Sequence, residues 1–384
     1  MTDMQEKKPR AVMLSPALSQ PRHHRRAAML LEAGYRLQVY GYQRGYYEEN
    51  MYPDGIQTIS LGRIESKYYI RRIPKLLKSA LFIKKYEKQF HEAPSLIYAF
   101  GLDMALIESF AMSGSVPLIY EIGDIQNPLP HTGIVSKMIA ITEKLILRKC
   151  RKLVVTSPAF IPGYFERLDL SIAKKTLVIE NKLARENARR FPRPQAPKQA
   201  TFPIKIGCIG FFTYRNCILA LMEAVVKKRG KFELHFYGDG PLKKEIREYA
   251  KTHDNVFYHG SFSNSADLGK IYQSVDLSYV VYDNTDPNVR MALPNKLYEG
   301  PYFGVPLVVA KDTFLAERVR ELGIGFVIDP QEENSLDKLM DEITPEILRK
   351  LSATALGLDK SHFVEDGSGV IPVFEEIGKS RSLQ

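Results

Sequence analysis

Twice along the chain, short apolar runs bounded by turn residues alternate with stretches of helical periodicity. This pattern leaves few folds open, because a strand, a crossover helix and a second strand form a parallel βαβ unit, and repeated units stack into an α/β layer structure. The first series opens with a strand at Arg10–Ser15, a loop through Pro16 to Pro21, a helix over about Arg22–Ala33, a stop at Gly34 and a strand at Leu37–Tyr42. Further strands are predicted at Leu96–Ala99, Pro117–Glu121, Lys152–Thr156 and Leu177–Ile179, with helices at Met104–Met112 and Ser136–Arg148. The second series starts with a strand at Ile204–Ile209 and keeps the same alternation to Gly325–Ile328.

Between the two series, Leu183–Phe202 is polar, holds three prolines and lacks apolar periodicity. A domain boundary is expected there. The predicted fold class is α/β, with two Rossmann-like doubly wound domains facing across a cleft. The domains are expected at residues 1–183 and 203–359, joined by a linker at 184–202. A late apolar stretch within 360–384 is expected to cross back onto the first domain. The length of 384 residues suits two such domains. Ligands are expected at the carboxyl ends of the strands.

With 45% apolar and 26% charged residues, the composition excludes disordered, collagen-like and coiled-coil classes. No apolar window of membrane-spanning length occurs, and the opening MTDMQEKKPR has no signal-like apolar region, so a cytoplasmic chain is expected. Cys150, Cys208 and Cys217 are scattered, which supports neither a disulfide framework nor a zinc site. The net charge of +10 is uneven: residues 1–200 hold 32 Lys and Arg against 18 Asp and Glu. The first half is therefore expected to meet something anionic.

The segment Ala292–Ala310, ALPNKLYEGPYFGVPLVVA, carries the most chemistry. A helix beginning after Pro294 puts Asn295 and Lys296 in its first turn, where a diphosphate would be well received. Glu299, three residues on, lies on the same face and can accept hydrogen bonds from a ribose diol. The competing reading is a surface helix turn with a Lys/Glu pair.

On this segment the sequence resembles the GT-B glycosyltransferases, in a family 4-like branch with a PNK-x-x-E helix followed by G-x-P-V-V-A. The resemblance spans nearly the whole chain. Tyr237–Pro241 match a strand-end G-D-G-P loop, Tyr258–Gly260 the next strand and its glycine, and Asp276 the aspartate of a y-x-x-x-D helix end. Ser157, Pro158 and Phe160 match a first-domain S-P-x-F turn. The resemblance implies an N-terminal acceptor domain and a C-terminal nucleotide-sugar domain. It makes Glu299 a ribose ligand and Lys296 a phosphate ligand, with Gly210, Arg215, Gly238 and Asn295 around the donor. Many relatives have a glutamate eight residues before the ribose glutamate, where this chain has Met291.

In the first half, LIYEIGDIQNPLPHTG resembles the family segment v-Y-E-v-H-D-l-w-P-E, with Gly123 where a histidine is usual. Asp124 at the strand end is the candidate base for an attacking sugar hydroxyl, with Glu121 and Asp103 as weaker catalytic candidates. The competing readings are a loop-capping Asp124 and a helix-capping Asp103. His23, His24 and Arg25, in the loop SQPRHHRRA, are candidate acceptor-phosphate ligands or simply a solvated helix start. Residues 63–91 carry nine Lys and Arg against two Glu, interleaved with Tyr, Ile, Leu and Phe. This reads either as an interfacial membrane helix, contacting anionic lipid through Arg71, Arg72, Lys75 and Lys78, or as a solvated helix packed on the core.

The function expected is a metal-independent glycosyl transfer, without a cofactor, from a nucleoside diphosphate sugar, most simply a UDP-sugar, to a lipid-linked or glycan acceptor. The setting would be envelope or extracellular polysaccharide assembly, on the inner face of the plasma membrane. A nucleotide-sugar epimerase on the same fold is the neighbouring alternative. A basic nucleic-acid-binding protein is the alternative from another class, and no recognised module supports a nucleic-acid partner.

Overall fold

The computed structural model describes residues 8–43, 52–64, 69–112, 114–125, 133–365 and 367–382. The chain divides into two units, Met1–Glu180 with Gly367–Gln384, and Asn181–Asp366.

Unit 1 is built on a seven-stranded sheet of β1 (Arg10–Ser15), β2 (Arg36–Gln43), β3 (Gln57–Arg63), β4 (Leu96–Phe100), β5 (Leu118–Ile122), β6 (Lys152–Val155) and β7 (Thr176–Val178). Their order is β3-β2-β1-β4-β5-β6-β7, and every pairing is parallel. Both faces are covered by helices, which is why β1, β4 and β5 are buried at every residue and read as unbroken apolar runs. The helices are α1 (Pro21–Glu32), α2 (Tyr69–Glu87), α3 (Gly101–Ala111), α4 (Ile134–Lys149) and the short α5 (Phe160–Gly163).

Unit 2 contains a six-stranded parallel sheet and a two-stranded one. The small sheet pairs β8 (Leu183–Ala184) with a strand near the end of the unit. The large one comprises β9 (Ile204–Phe211), β10 (Phe232–Asp239), β11 (Val256–Gly260), β12 (Leu277–Val280), β13 (Leu307–Ala310) and β14 (Gly325–Ile328), ordered β11-β10-β9-β12-β13-β14. The late partner of β8 is β15 (Val364–Glu365). Helices α6 (Arg185–Arg190), α7 (Arg215–Lys227), α8 (Lys243–Thr252), α9 (Leu268–Ser274), α10 (Pro287–Met291), α11 (Lys296–Tyr302), α12 (Phe314–Leu322), α13 (Ser335–Glu342) and α14 (Pro345–Gly357) connect the strands. In both large sheets the strand order reverses beside the first strand, and the loops at that switch point form a natural crevice.

The segment expected as a linker, 184–202, is part of unit 2. Ala188 on α6 is buried in a cluster with Tyr272, Tyr302 and Phe363, and Tyr302 Oη donates to the Ala188 and Phe191 carbonyls at 3.1 Å each. Arg193 donates to the Leu358 and Ala355 carbonyls at 2.8 and 2.5 Å. Main-chain acceptors and one small apolar face order this stretch, so apolar periodicity does not reveal it. The final helix, α15 (Ile371–Ser382), belongs to unit 1, where Val370, Phe374 and Ile377 join the core and Tyr35 Oη donates to the Phe374 carbonyl at 2.7 Å.

Candidate active site

In unit 2, Gly210 ends β9 with φ +124° and lies level with Gly238 of β10. A Cβ on Gly238 would fall 1.8 Å from the Gly210 carbonyl oxygen, so Gly238 is required by the close approach of the two strand ends. A Cβ on Gly210 would meet the Lys296 side chain at 3.5 Å, which puts Lys296 directly over the end of β9.

Lys296 Nζ lies 3.0 Å from Glu299 Oε2, one turn along α11, and both side chains are largely buried. Tyr272 of α9 donates to the same oxygen at 3.0 Å. Tyr272 is fully buried and stacks on Phe303, and burial beside the Glu299 carboxylate pushes its phenol well above the usual range. Both donors grip Oε2, so the carboxylate plane is fixed and Oε1 takes part in neither bond. Tyr272 is the tyrosine of the y-x-x-x-D pattern that ends at Asp276. That pattern drew attention only to Asp276, whose Oδ2 accepts from the Lys205 amide at 2.9 Å as a strand-end tie.

Asn295 precedes α11, and its side chain does not cap the helix. The helix has seven residues with Pro301 inside it, so Lys296 supplies the local positive charge rather than a long helix dipole. Arg215, expected beside the donor, pairs with a carboxylate of the next helix. It starts α7 and is exposed, and its guanidinium forks onto Glu245 of α8 at 2.6 and 3.1 Å.

In unit 1, an open cavity of about 100 Å³ lies at the carboxyl ends of β1, β4 and β5. Its lining includes Arg22, His23, Arg72, Asp103, Glu121, Gly123, Asp124, Glu143 and Tyr164. The three carboxylates singled out as catalytic candidates come together here, in different states. Asp124 is exposed. Glu121 is buried, its Oε2 taken by Arg26 Nε at 3.0 Å and by the Tyr98 hydroxyl in a short hydrogen bond. Asp103 is buried in the first turn of α3, after the N-cap, and pairs with Arg72 at 2.8 Å. These contacts make Glu121 and Asp103 anchors of the pocket wall.

Glu143 of α4 was not singled out from the sequence. Tyr120 donates to it at 2.9 Å and Tyr164 through a short bond, while burial raises its carboxyl pKa. A glutamate on an amphipathic helix gives no sequence signal of burial; only its tyrosine partners reveal it.

His23 and His24 are buried rather than presented to solvent. His23 Nδ1 is 2.7 Å from Ser15 Oγ, its ring lies against Phe100, and burial with Arg22 nearby pushes its pKa well below the usual value. His24 Nε2 is 2.6 Å from the Leu18 carbonyl, and burial lowers its pKa too. Burial thus disfavours the charged form of both rings. Arg25, beside them, is half-buried and does not line the cavity.

The residues expected at a membrane separate on α2. Arg72 turns into the cavity wall, Lys75 lies half-buried with Nζ 5.8 Å from the Tyr42 ring centroid, and Lys78 is exposed. The Arg71 side chain lies outside the described residues. The outward face instead shows Ile73, Leu77, Leu81 and Phe82, interleaved with Lys78, Lys84, Lys85 and Lys88. Among the described residues, no helix is long and apolar enough to cross a membrane.

Residues 203–344 match the family model "Glycosyl transferases group 1". The chain is 28% identical over 344 residues to the succinoglycan biosynthesis protein ExoL of Rhizobium meliloti (strain 1021), covering 86% of this chain and 84% of that one. Its fold is similar to sucrose-phosphate synthase from Thermosynechococcus elongatus, with a TM-score of 0.65 at 15% identity over 97% of this chain and 98% of that one. It is also similar to Anabaena HepE solved with UDP and glucose, with a TM-score of 0.60 at 14% identity over 97% and 99% of the two chains. Unit 2 thus carries a glycosyl transferases group 1 domain, and the chain is a glycosyltransferase with the GT-B fold.

Proposed function

We propose that this glycosyltransferase moves a sugar from a nucleoside diphosphate donor, a UDP-sugar, held in unit 2, to a hydroxyl of a lipid-linked or glycan acceptor held in unit 1. The observation that carries this reading is the clamped carboxylate: Lys296 and Tyr272 both hold Glu299 Oε2 beside the Gly210 strand end. A buried carboxylate fixed in this way suits a ribose diol, and the adjacent ammonium suits a diphosphate. The resemblance to the PNK-x-x-E pattern of a family 4-like branch covers Lys296 and Glu299 and supports the same reading. The solved HepE complexes hold UDP and UDP-glucose, which supports a uridine donor. The name of ExoL supports a role in extracellular polysaccharide assembly.

For the acceptor, Asp124 is exposed at the cavity, whereas Glu121 and Asp103 are buried in its wall. Asp124 takes the proton of the attacking hydroxyl as its oxygen bonds to the anomeric carbon and the nucleoside diphosphate leaves. Attack opposite the leaving group inverts the anomeric centre. The acceptor lipid explains the outward face of α2, where apolar side chains between lysines suit the surface of an anionic bilayer.

The test is to incubate the chain with UDP-glucose, UDP-galactose and GDP-mannose, each labelled in the sugar, and an envelope lipid extract. Transfer of label from a UDP-sugar into the organic phase is expected. Release of free nucleotide without transfer, or transfer from GDP-mannose alone, contradicts the reading.

A further inference from the structure

Arg22, the second residue of α1, lines the unit 1 cavity. Its guanidinium lies on Gly123: a Cβ at that position would fall 1.7 Å from Nη1 and 2.1 Å from Cζ. The space that a side chain at position 123 would need is filled from another element. Gly123 has no positive φ, so its backbone does not demand glycine; the guanidinium does.

The same guanidinium is under-used. Its side chain is only 15% exposed, yet its nearest charge, Glu121 Oε1, lies 3.6 Å from Nε, and Nε is buried without a hydrogen-bond partner. Glu121 Oε1 likewise lacks a hydrogen bond, while Oε2 is already taken by Arg26 and Tyr98. Two guanidinium groups therefore share one carboxylate, and Arg22 is the weakly held one. The other arginine of the cavity, Arg72, is matched by Asp103. Arg22 is also poorly placed for helix stability, since a cation in the first turn of α1 opposes the helix dipole and that turn holds no acidic residue. A covered guanidinium with unspent donors is costly unless a ligand supplies the acceptor.

We infer that Arg22 is the anion-recognising group of the unit 1 cavity, taking a phosphoryl or carboxylate oxygen group of the acceptor, and that position 123 is glycine to seat it. This rests on the reading that unit 1 holds the acceptor. A planar fork favours such oxygens over neutral hydroxyls. The cationic role that the sequence suggested for His23, His24 and Arg25 thus falls to their neighbour.

The test is calorimetric titration of the full chain with inorganic phosphate and, separately, with D-glucuronate. At least one anion is expected to bind, tenfold or more weaker in Arg22→Ala. Gly123→Ala should match that loss, because the new methyl displaces a flexible side chain rather than backbone. Melting curves of Gly123→Ala should stay at the wild-type midpoint. The double variant should be no weaker than either single. Binding of phosphate alone assigns a phosphorylated acceptor, and binding of glucuronate alone an acidic sugar.

Absence of both binding events, additive losses, or wild-type binding by a folded Gly123→Ala overturns the inference. The titration needs neither donor nor turnover, so it fails or succeeds independently of the donor assignment.

Discussion

Tyr272 Oη and Lys296 Nζ lie at the same distance, 3.0 Å, from Glu299 Oε2, one reaching it from α9 and the other from within α11. Removing the phenol hydroxyl leaves the carboxylate with one anchor. Tyr272→Phe is expected to lower stability by about 1 kcal/mol in urea unfolding, the net worth of one hydrogen bond. It should also weaken UDP binding several-fold. In a Glu299→Ala background the binding effect of Tyr272→Phe should vanish, since the hydroxyl acts through that carboxylate.

Asp124 and Glu121 sit three residues apart on one strand end and should respond differently to amide substitution. Asp124→Asn is expected to reduce turnover by about 10² to 10⁴-fold with little change in melting temperature or UDP affinity. Glu121→Gln leaves Arg26 buried without its countercharge, and should destabilise the chain by about 3 to 5 kcal/mol. Thermal melts beside initial rates separate the two outcomes. An anomeric coupling constant showing retained configuration in the product would contradict the role given to Asp124.

The buried histidines predict a pH dependence. His23 has a folded-state pKa well below its unfolded value of about 6.5, so the unfolded chain binds the proton first. Stability is therefore full above that value and is lost as pH falls below about 6.5 toward the folded-state pKa. His24 contributes with the same sign. The limiting slope is about 1.4 kcal/mol per pH unit for each group. His23→Gln should flatten the fall in stability between pH 7 and pH 5, measured by urea unfolding at a series of pH values.

On α2 and just after it, the outward lysines, rather than Arg72, should govern binding to lipid. Replacing Lys78, Lys84, Lys85 and Lys88 by Gln is expected to release the chain from vesicles containing phosphatidylglycerol, at about 1 kcal/mol per lysine near the surface. Arg72→Gln should leave vesicle binding intact, because that side chain pairs with Asp103. Equal co-sedimentation of the wild type and the lysine variant would contradict the assignment.

Much of the architecture is legible in the sequence, because parallel strands covered on both faces must be apolar throughout. Arg10–Ser15 is a strand in the sequence reading and in the structure alike. Strand β3 gives no sequence signal, since Gln57–Arg63 is mostly exposed and lacks a continuous apolar run. Helix α6 looks like linker in the sequence because its order comes from Tyr302 and the ties of Arg193 that follow it. For the site, Lys296 and Glu299 are readable because one helical turn joins them. Tyr272 and Arg22 are not, since their partners are distant in sequence. The same holds for the pairing of Arg215 with Glu245 of the next helix.

Calorimetric titration of UDP and UDP-glucose into the wild type, Lys296→Ala and Glu299→Ala asks whether unit 2 holds a nucleoside diphosphate sugar on Lys296 and Glu299. A single site is expected in the wild type. Lys296→Ala and Glu299→Ala should each weaken it by roughly 1.5 to 3 kcal/mol, the value of a charge-assisted hydrogen bond, with uridine lacking phosphates insensitive to Lys296→Ala. Wild-type affinity for UDP in both variants would rule out Lys296 and Glu299 as the donor site.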